Sequence, residues 1–296
     1  MLIALLQATV DSARGATGTS LPCLARIPHD SLPSLVQLAC GPGTPAAVAL
    51  VTAGNALWIL VYILIIVAAS KARTFGVPVL AIALNFTWEL YFAVWQPQAT
   101  LALRAVNWTW LLLDAVIVYQ LAHFGREQVR PELRKHFNLL LGALLGIALA
   151  GHATFHGWFT HLQIFPDSGS AISGMFINLI MSVLFVFLAL DRPDSRGLSY
   201  SAAWAKCIAT ALITAGLAIQ YSSRAAGEWI FSAHHEGSAQ TMDLGARGMA
   251  TYDPSFVYYM GAVIFLFDVT YIVILHRRRV STSAAARLPG GEAAPA

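Results

Sequence analysis

The chain has 296 residues, of which 57% are hydrophobic and only 11% charged, with a formal net charge of +3. Soluble domains carry roughly 25% charged residues, so this composition, with a mean hydropathy of +0.64, excludes an ordinary soluble enzyme and places the chain in a lipid bilayer. The length suits one membrane bundle without a separate soluble domain, and the small positive charge does not point to a nucleic-acid partner.

In chain order, the run from Met1 to Leu6 resembles the apolar core of a signal peptide but lacks a basic start. Residues 11–45 mix Gly, Pro, Ser and Thr and read as a loosely ordered extracytoplasmic segment. It contains Cys23 and Cys40, which an oxidising compartment would bridge and a reducing one would leave as thiols. Seven segments then have the length and apolarity to span a membrane core: 46–69, 76–96, 103–124, 138–158, 170–190, 201–221 and 255–275. The long connection 222–254 is expected to fold over one mouth of the bundle, and 276–296 to form a disordered tail. The expected fold is therefore all-α: a polytopic bundle of seven transmembrane helices in the domain 46–275.

Lys71 and Arg73 follow the first span, Arg126, Arg130, Arg134 and Lys135 the third, Arg192 and Arg196 the fifth, and Arg277, Arg278 and Arg279 the seventh. The alternate loops carry far fewer: Arg104, Arg224 and Arg247. Cytoplasmic loops hold the basic residues, so the N-terminus is expected outside and the C-terminus in the cytosol. The membrane would be the endoplasmic reticulum in a eukaryote and the plasma membrane in a bacterium. Oligomeric state is not readable.

Three carboxylates lie inside apolar spans: Glu89, Asp114 and Asp268. An acid at bilayer depth costs several kcal/mol or takes up a proton, so each is a candidate functional residue. Helical spacing gives them neighbours. Asn85, Glu89 and Phe92 share a face of the second span, Asn107, Trp110 and Asp114 a face of the third, and Gly261, Phe265, Asp268 and Tyr271 a face of the seventh. Acids with aromatic neighbours suit a reaction that begins with a proton and passes through cations, because aromatic faces stabilise dry positive charge by up to about 2 kcal/mol. The same acids and amides would equally serve as interhelical hydrogen bonds that fix the bundle. Lys206, near one end of the sixth span, is expected to snorkel to the interface. Asn178 and Ser182 are expected to bond across helices or line the cavity, and Trp95, Trp158 and Tyr200 to anchor helix ends at the interface.

The residues Asn85 to Glu89 in the second span, Trp110 to Asp114 followed by Phe124, Gly125 and Arg126 in the third, and Asp268 in the last resemble the integral-membrane terpene cyclases. These are small seven-helix enzymes of fungal meroterpenoid and indole-diterpene pathways and their bacterial relatives. The resemblance implies protonation of an epoxide or terminal alkene on a prenyl chain, polyene cyclisation and loss of a proton, with no metal or organic cofactor. It assigns the acidic pair to Glu89 and Asp268, with Asp114 orienting Glu89 or polarising the epoxide. Asn85, Trp88, Phe92, Asn107, Trp110, Phe265 and Tyr271 are the candidate substrate-binding residues. The expected partners are a hydrophobic prenylated molecule and the bilayer. Glu89 and Asp268 sit on opposite sides of their span centres, roughly 9 Å apart along the membrane normal at 1.5 Å per residue, so a cavity between them is expected rather than a tight dyad.

What is missing narrows the chemistry. No membrane-embedded Asp-Asp-x-x-Asp is present to hold Mg²⁺ against a diphosphate; Asp191 and Asp194 have the outer spacing but sit in a short loop among basic residues. One rival is a metal-dependent lipid hydrolase or oxidase using His152 and His156, four apart on the fourth span, with His161, His234, His235 and Glu236 on the same side. A seven-helix receptor is a more remote alternative, since the last span has neither a retinal lysine nor a receptor-like Asn-Pro.

Overall fold

In a lipid core every backbone N–H and C=O must be bonded within the chain, which leaves the helix as the form such apolar segments take. The computed structural model describes residues 44–95, 101–162, 168–192, 194–225 and 255–285. Among them the long elements are all helices: α1 (Thr44–Ala72), α2 (Val79–Val94), α3 (Leu101–Phe124), α4 (Phe137–Leu162), α5 (Ser168–Asp191), α6 (Tyr200–Ala225) and α7 (Ser255–Ala285). A 3-10 turn at Gly125–Gln128 and a single helical turn at Pro131–Arg134 join α3 to α4. Six of the long helices are long and apolar enough to cross a membrane.

The exception is α2. Its 16 residues rise about 24 Å, short of the ~30 Å hydrocarbon core. Pro78 occupies its N-cap position, where a residue without an N–H starts a helix but cannot extend one backwards. A second departure from expectation lies at the other end of the chain. Residues 276–285, expected in a disordered tail, continue α7 as helix. Cys23, Cys40, His234, His235 and Glu236 lie outside the described residues.

Packing follows a ring. Helix α1 lies against α6 and α3, α3 against α2, α2 against α5, α5 against α7, and α7 against α6, while α4 stands outside the ring, mainly against α2. The α1–α6 seam is held close by glycine. A Cβ on Gly54 would fall 2.5 Å from Ile213 Cγ1 and 2.8 Å from the Ala209 carbonyl, so any larger residue would force the two backbones apart.

The half of the ring where α1 ends and α6 begins is solidly filled. Val61, Ile65, Phe75, Ile82, Ile117, Leu121, Phe185, Ala202, Ile272 and Leu275 are buried there in one apolar cluster. This end also gathers the basic residues. Arg196 donates to the Ala72 carbonyl at 3.2 Å, Arg192 to the Phe75 carbonyl at 2.8 Å, and Arg278 to the Asp194 carbonyl at 3.2 Å. Burial lowers the Arg192 guanidinium from its usual range, and the carbonyls it caps offset that cost. The opposite half holds a smaller cluster, with Met175, Leu217, Met260 and Ile264 buried, and between the two lies a cavity.

Candidate active site

The cavity measures about 250 Å³ and is walled by α1, α2, α3, α5 and α6. Helix α1 contributes Val51, Asn55, Trp58 and Tyr62, a set recurring every three or four residues along one face. From α2 come Asn85, Trp88 and Glu89, and from α3 Asn107 and Trp110. Met181 and Asn178 on α5 and Thr210 and Ile213 on α6 complete the far wall. Four aromatic rings therefore face a largely apolar space with one carboxyl group in its wall.

Glu89 is 1% exposed and Asp114 fully buried. The Tyr62 hydroxyl donates to Glu89 Oε1 at 2.7 Å. Asn85 Nδ2 lies 2.9 Å from the same oxygen, 2.8 Å from Asp114 Oδ2 and 2.6 Å from Tyr62 Oη. Two N–H bonds thus serve three oxygens, and the network is shared. Glu89 Oε2 and Asp114 Oδ1 receive no donor from the described residues, and the two carboxyls are joined through the Asn85 amide. Asn107 donates to the Glu89 carbonyl at 3.4 Å. Trp88 is pinned by its indole N–H, which donates to Ser173 Oγ at 2.8 Å.

Of the residues expected in the site, Asn85, Trp88, Glu89, Asn107 and Trp110 line the cavity, and Asp114 lies directly behind Asn85. Phe92 does not line it. Its ring packs against Trp88 at 4.7 Å and edge-on to His156 at 4.7 Å, because the α2 face that carries it turns toward α4. The three α7 residues also fall elsewhere, since α7 packs behind α5 and α6. Phe265 is 52% exposed in an outer groove between α6 and α7. Tyr271 is buried against Phe185 at 5.2 Å. Asp268 makes no bond to Glu89; its Oδ1 is 2.6 Å from Lys206 Nζ.

That ion pair corrects the expectation for Lys206, which does not snorkel. It is 2% exposed because it sits seven residues into α6 on the face turned toward α5 and α7. Its ammonium also donates to Ser182 Oγ at 2.6 Å and lies 5.6 Å from the centre of the Trp58 ring. Sequence reasoning missed Tyr62 as well. The signal available was the Asn55, Trp58 and Tyr62 spacing on an otherwise aliphatic helix.

The histidine pair sits apart from the cavity. His152 Nε2 donates to the Leu84 carbonyl at 3.0 Å, and His156 stacks on Tyr91 at 5.2 Å. Both dock α4 onto α2. No group of three or more potential metal-ligating His, Cys, Asp or Glu occurs among the described residues.

Comparison with known proteins finds relatives of this sequence. Residues 44–233, which hold α1 to α6 with Glu89 and Asp114, match the Pyr4-like transmembrane terpene cyclases. Terpene cyclase cle7 of Aspergillus versicolor is 28% identical over 165 residues, covering 54% of this chain and 66% of the relative. Terpene cyclase esdpB of Penicillium shearii is 29% identical over 167 residues, covering 55% and 65%. Terpene cyclase pyr4 of Aspergillus fumigatus is 27% identical over 147 residues, covering 49% and 58%. The chain thus spans less than two thirds of the length of each of these relatives. No solved structure matches it. With the family match extending over most of the chain, this integral, multi-pass membrane protein belongs to the Pyr4-like transmembrane terpene cyclases.

Proposed function

We propose that the chain cyclises a prenylated, meroterpenoid-type substrate by protonating its terminal epoxide or alkene. The observation that carries this reading is the placement of Glu89: a carboxyl in the wall of an aromatic-lined cavity, hydrogen-bonded to Tyr62 and Asn85. Two neighbouring carboxyls with one amide and one phenol for donors are satisfied when they hold one proton between them. Glu89 delivers that proton to the epoxide oxygen, the C–O bond to the more substituted carbon breaks, and successive alkenes close onto the cation. The final cation loses a proton, so the net change is an isomerisation that restores the acid.

Asp114 and Tyr62 support the transfer: Asp114 shares the proton and Tyr62 steadies Glu89 as charge develops. Trp58, Trp88 and Trp110 line the cavity as aromatic neighbours for the migrating charge, and the apolar wall keeps water from trapping it. This reading moves the partner of Glu89 from Asp268 to Asp114. The positive-inside rule orients the basic end toward the cytosol. The names of the similar fungal proteins agree with the activity, and the metal-dependent reading draws no support from the histidine pair's docking role.

The test is to incubate membranes containing the protein with epoxidised and plain prenylated phenols and indoles, and to follow cyclised isomers of unchanged mass. Turnover of at least one epoxide, lost in Glu89→Gln, is the expected result. If no member of the panel cyclises while folded protein is present, the proposal fails.

A further inference from the structure

Lys206 and Asp268 form a contact pair, each side chain 3% exposed, at a depth where α5, α6 and α7 meet inside the membrane-spanning bundle. A buried ion pair is a poor source of stability. Apolar residues of similar volume in its place often leave a fold as stable or more so, and at bilayer depth the charges cost more. Its neighbours point to another role. The same ammonium donates to Ser182 Oγ on α5, and that hydroxyl donates to the Asn178 carbonyl at 2.8 Å. Asn178 Nδ2 in turn donates to Thr210 Oγ1 at 3.0 Å, one helical turn beyond Lys206. On its other side the ammonium lies over the ring of Trp58. Trp58, Asn178 and Thr210 all line the cavity.

We propose that Lys206 is a positioning residue for the cavity: anchored by Asp268, it sets the placement of Trp58 on α1 and of the Asn178–Thr210 pair on α5 and α6. Every wall of the cavity except the α2–α3 side, which carries the acids, is tied to this one cation. The pair touches the substrate only through those residues. Its effect falls on how the prenyl chain is held, hence on KM and on which cyclised product forms. The proton transfer itself depends on Glu89.

This inference rests on the cyclase reading for the identity of the substrate, so the experiment reads binding as well as turnover. The double variant Lys206→Met with Asp268→Leu removes both charges, and Ser182→Ala cuts the link to Asn178 while keeping the ion pair. Each is purified in detergent beside the wild type. Affinity is measured for a hexahydrofarnesyl phenol, whose saturated chain cannot be protonated at an alkene, and turnover for the epoxidised farnesyl phenol.

The double variant is expected to melt within a few degrees of wild type, to bind the saturated ligand at least tenfold more weakly, and to shift the product mixture. Ser182→Ala is expected to raise KM three- to tenfold with kcat within twofold. A double variant that folds and keeps wild-type affinity, KM and product mixture would make the pair structural and overturn the proposal. If the double variant does not fold, unchanged KM and products in Ser182→Ala overturn it equally. A wild type that does not bind the saturated ligand also overturns it. A wild type that binds the ligand, loses it in the variants and turns over no epoxide would leave the positioning role standing and remove the cyclase reading.

Discussion

Glu89→Gln separates the chemistry of the site from its architecture. Glutamine keeps a carbonyl oxygen where Glu89 Oε1 accepts from Tyr62 at 2.7 Å and from Asn85 at 2.9 Å, so both bonds survive. Its amide nitrogen then takes the place of Oε2, the oxygen that receives no donor among the described residues. An amide N–H there replaces the proton that the two carboxyls share in the wild type, so the net change in hydrogen bonding is about 1 kcal/mol or less. The variant is therefore expected to melt within a few degrees of the wild-type temperature. It has no carboxyl proton to give, and general acid catalysis contributes on the order of 10²–10⁴-fold, so turnover of the epoxide should fall by that factor. The assay is product formation in detergent beside a fluorescence-detected melting curve on the same preparation. Turnover within tenfold of wild type at an unchanged melting temperature would refute Glu89 as the acid.

Tyr62→Phe removes one donor from Glu89 and one acceptor from Asn85; a tenfold to hundredfold loss of kcat is expected with a small loss of stability, and unchanged kcat would place Tyr62 outside the reaction. His152→Ala frees the Leu84 carbonyl and should cost about 1 kcal/mol of stability with turnover within severalfold of wild type and insensitive to EDTA; activity lost to EDTA and restored by zinc or iron would favour the metal reading. Gly54→Ala drives a methyl group into Ile213 and the Ala209 carbonyl and should destabilise by about 1–3 kcal/mol, read as a lowered melting temperature; an unaffected melt would show that the α1–α6 seam yields. Phe265→Leu, on the outer surface of α7, should leave kcat and KM within twofold.

Periodicity along one helix finds faces, and it found the α2 face that carries Asn85 and Glu89 and the α3 face that carries Asn107, Trp110 and Asp114. Hydropathy found the spans because bilayer thickness and backbone satisfaction act on each segment alone. Which face meets which neighbour is decided by the order of helices around the ring, and no single-helix pattern carries that order. So Asp268 was expected to face Glu89 across a cavity, when α7 stands behind α5 and α6 and gives its acid to Lys206. Lys206 itself was read as an end residue from its distance along α6, although what keeps it from the interface is the carboxylate across the helix seam. Tyr62 went unnoticed because its partner lies on α2, 27 residues away in sequence.

The packed half of the ring gives the cavity a floor, and a hollow with a floor is a depth gauge. Tyr62 and Asn85 lie at the bottom with the acid, while Val51 and Leu217 stand nearest the other end; the eleven helical steps from Val51 to Tyr62 correspond to roughly 16 Å of depth. On the cyclase reading, a prenyl chain enters reactive end first and its head group stays near the rim. A chain that is too short stops above Glu89, and one that is too long must buckle before its tip arrives. Chain-length preference then belongs to the residues that set the floor, and head-group tolerance to the rim, so the two can change independently without touching the acid.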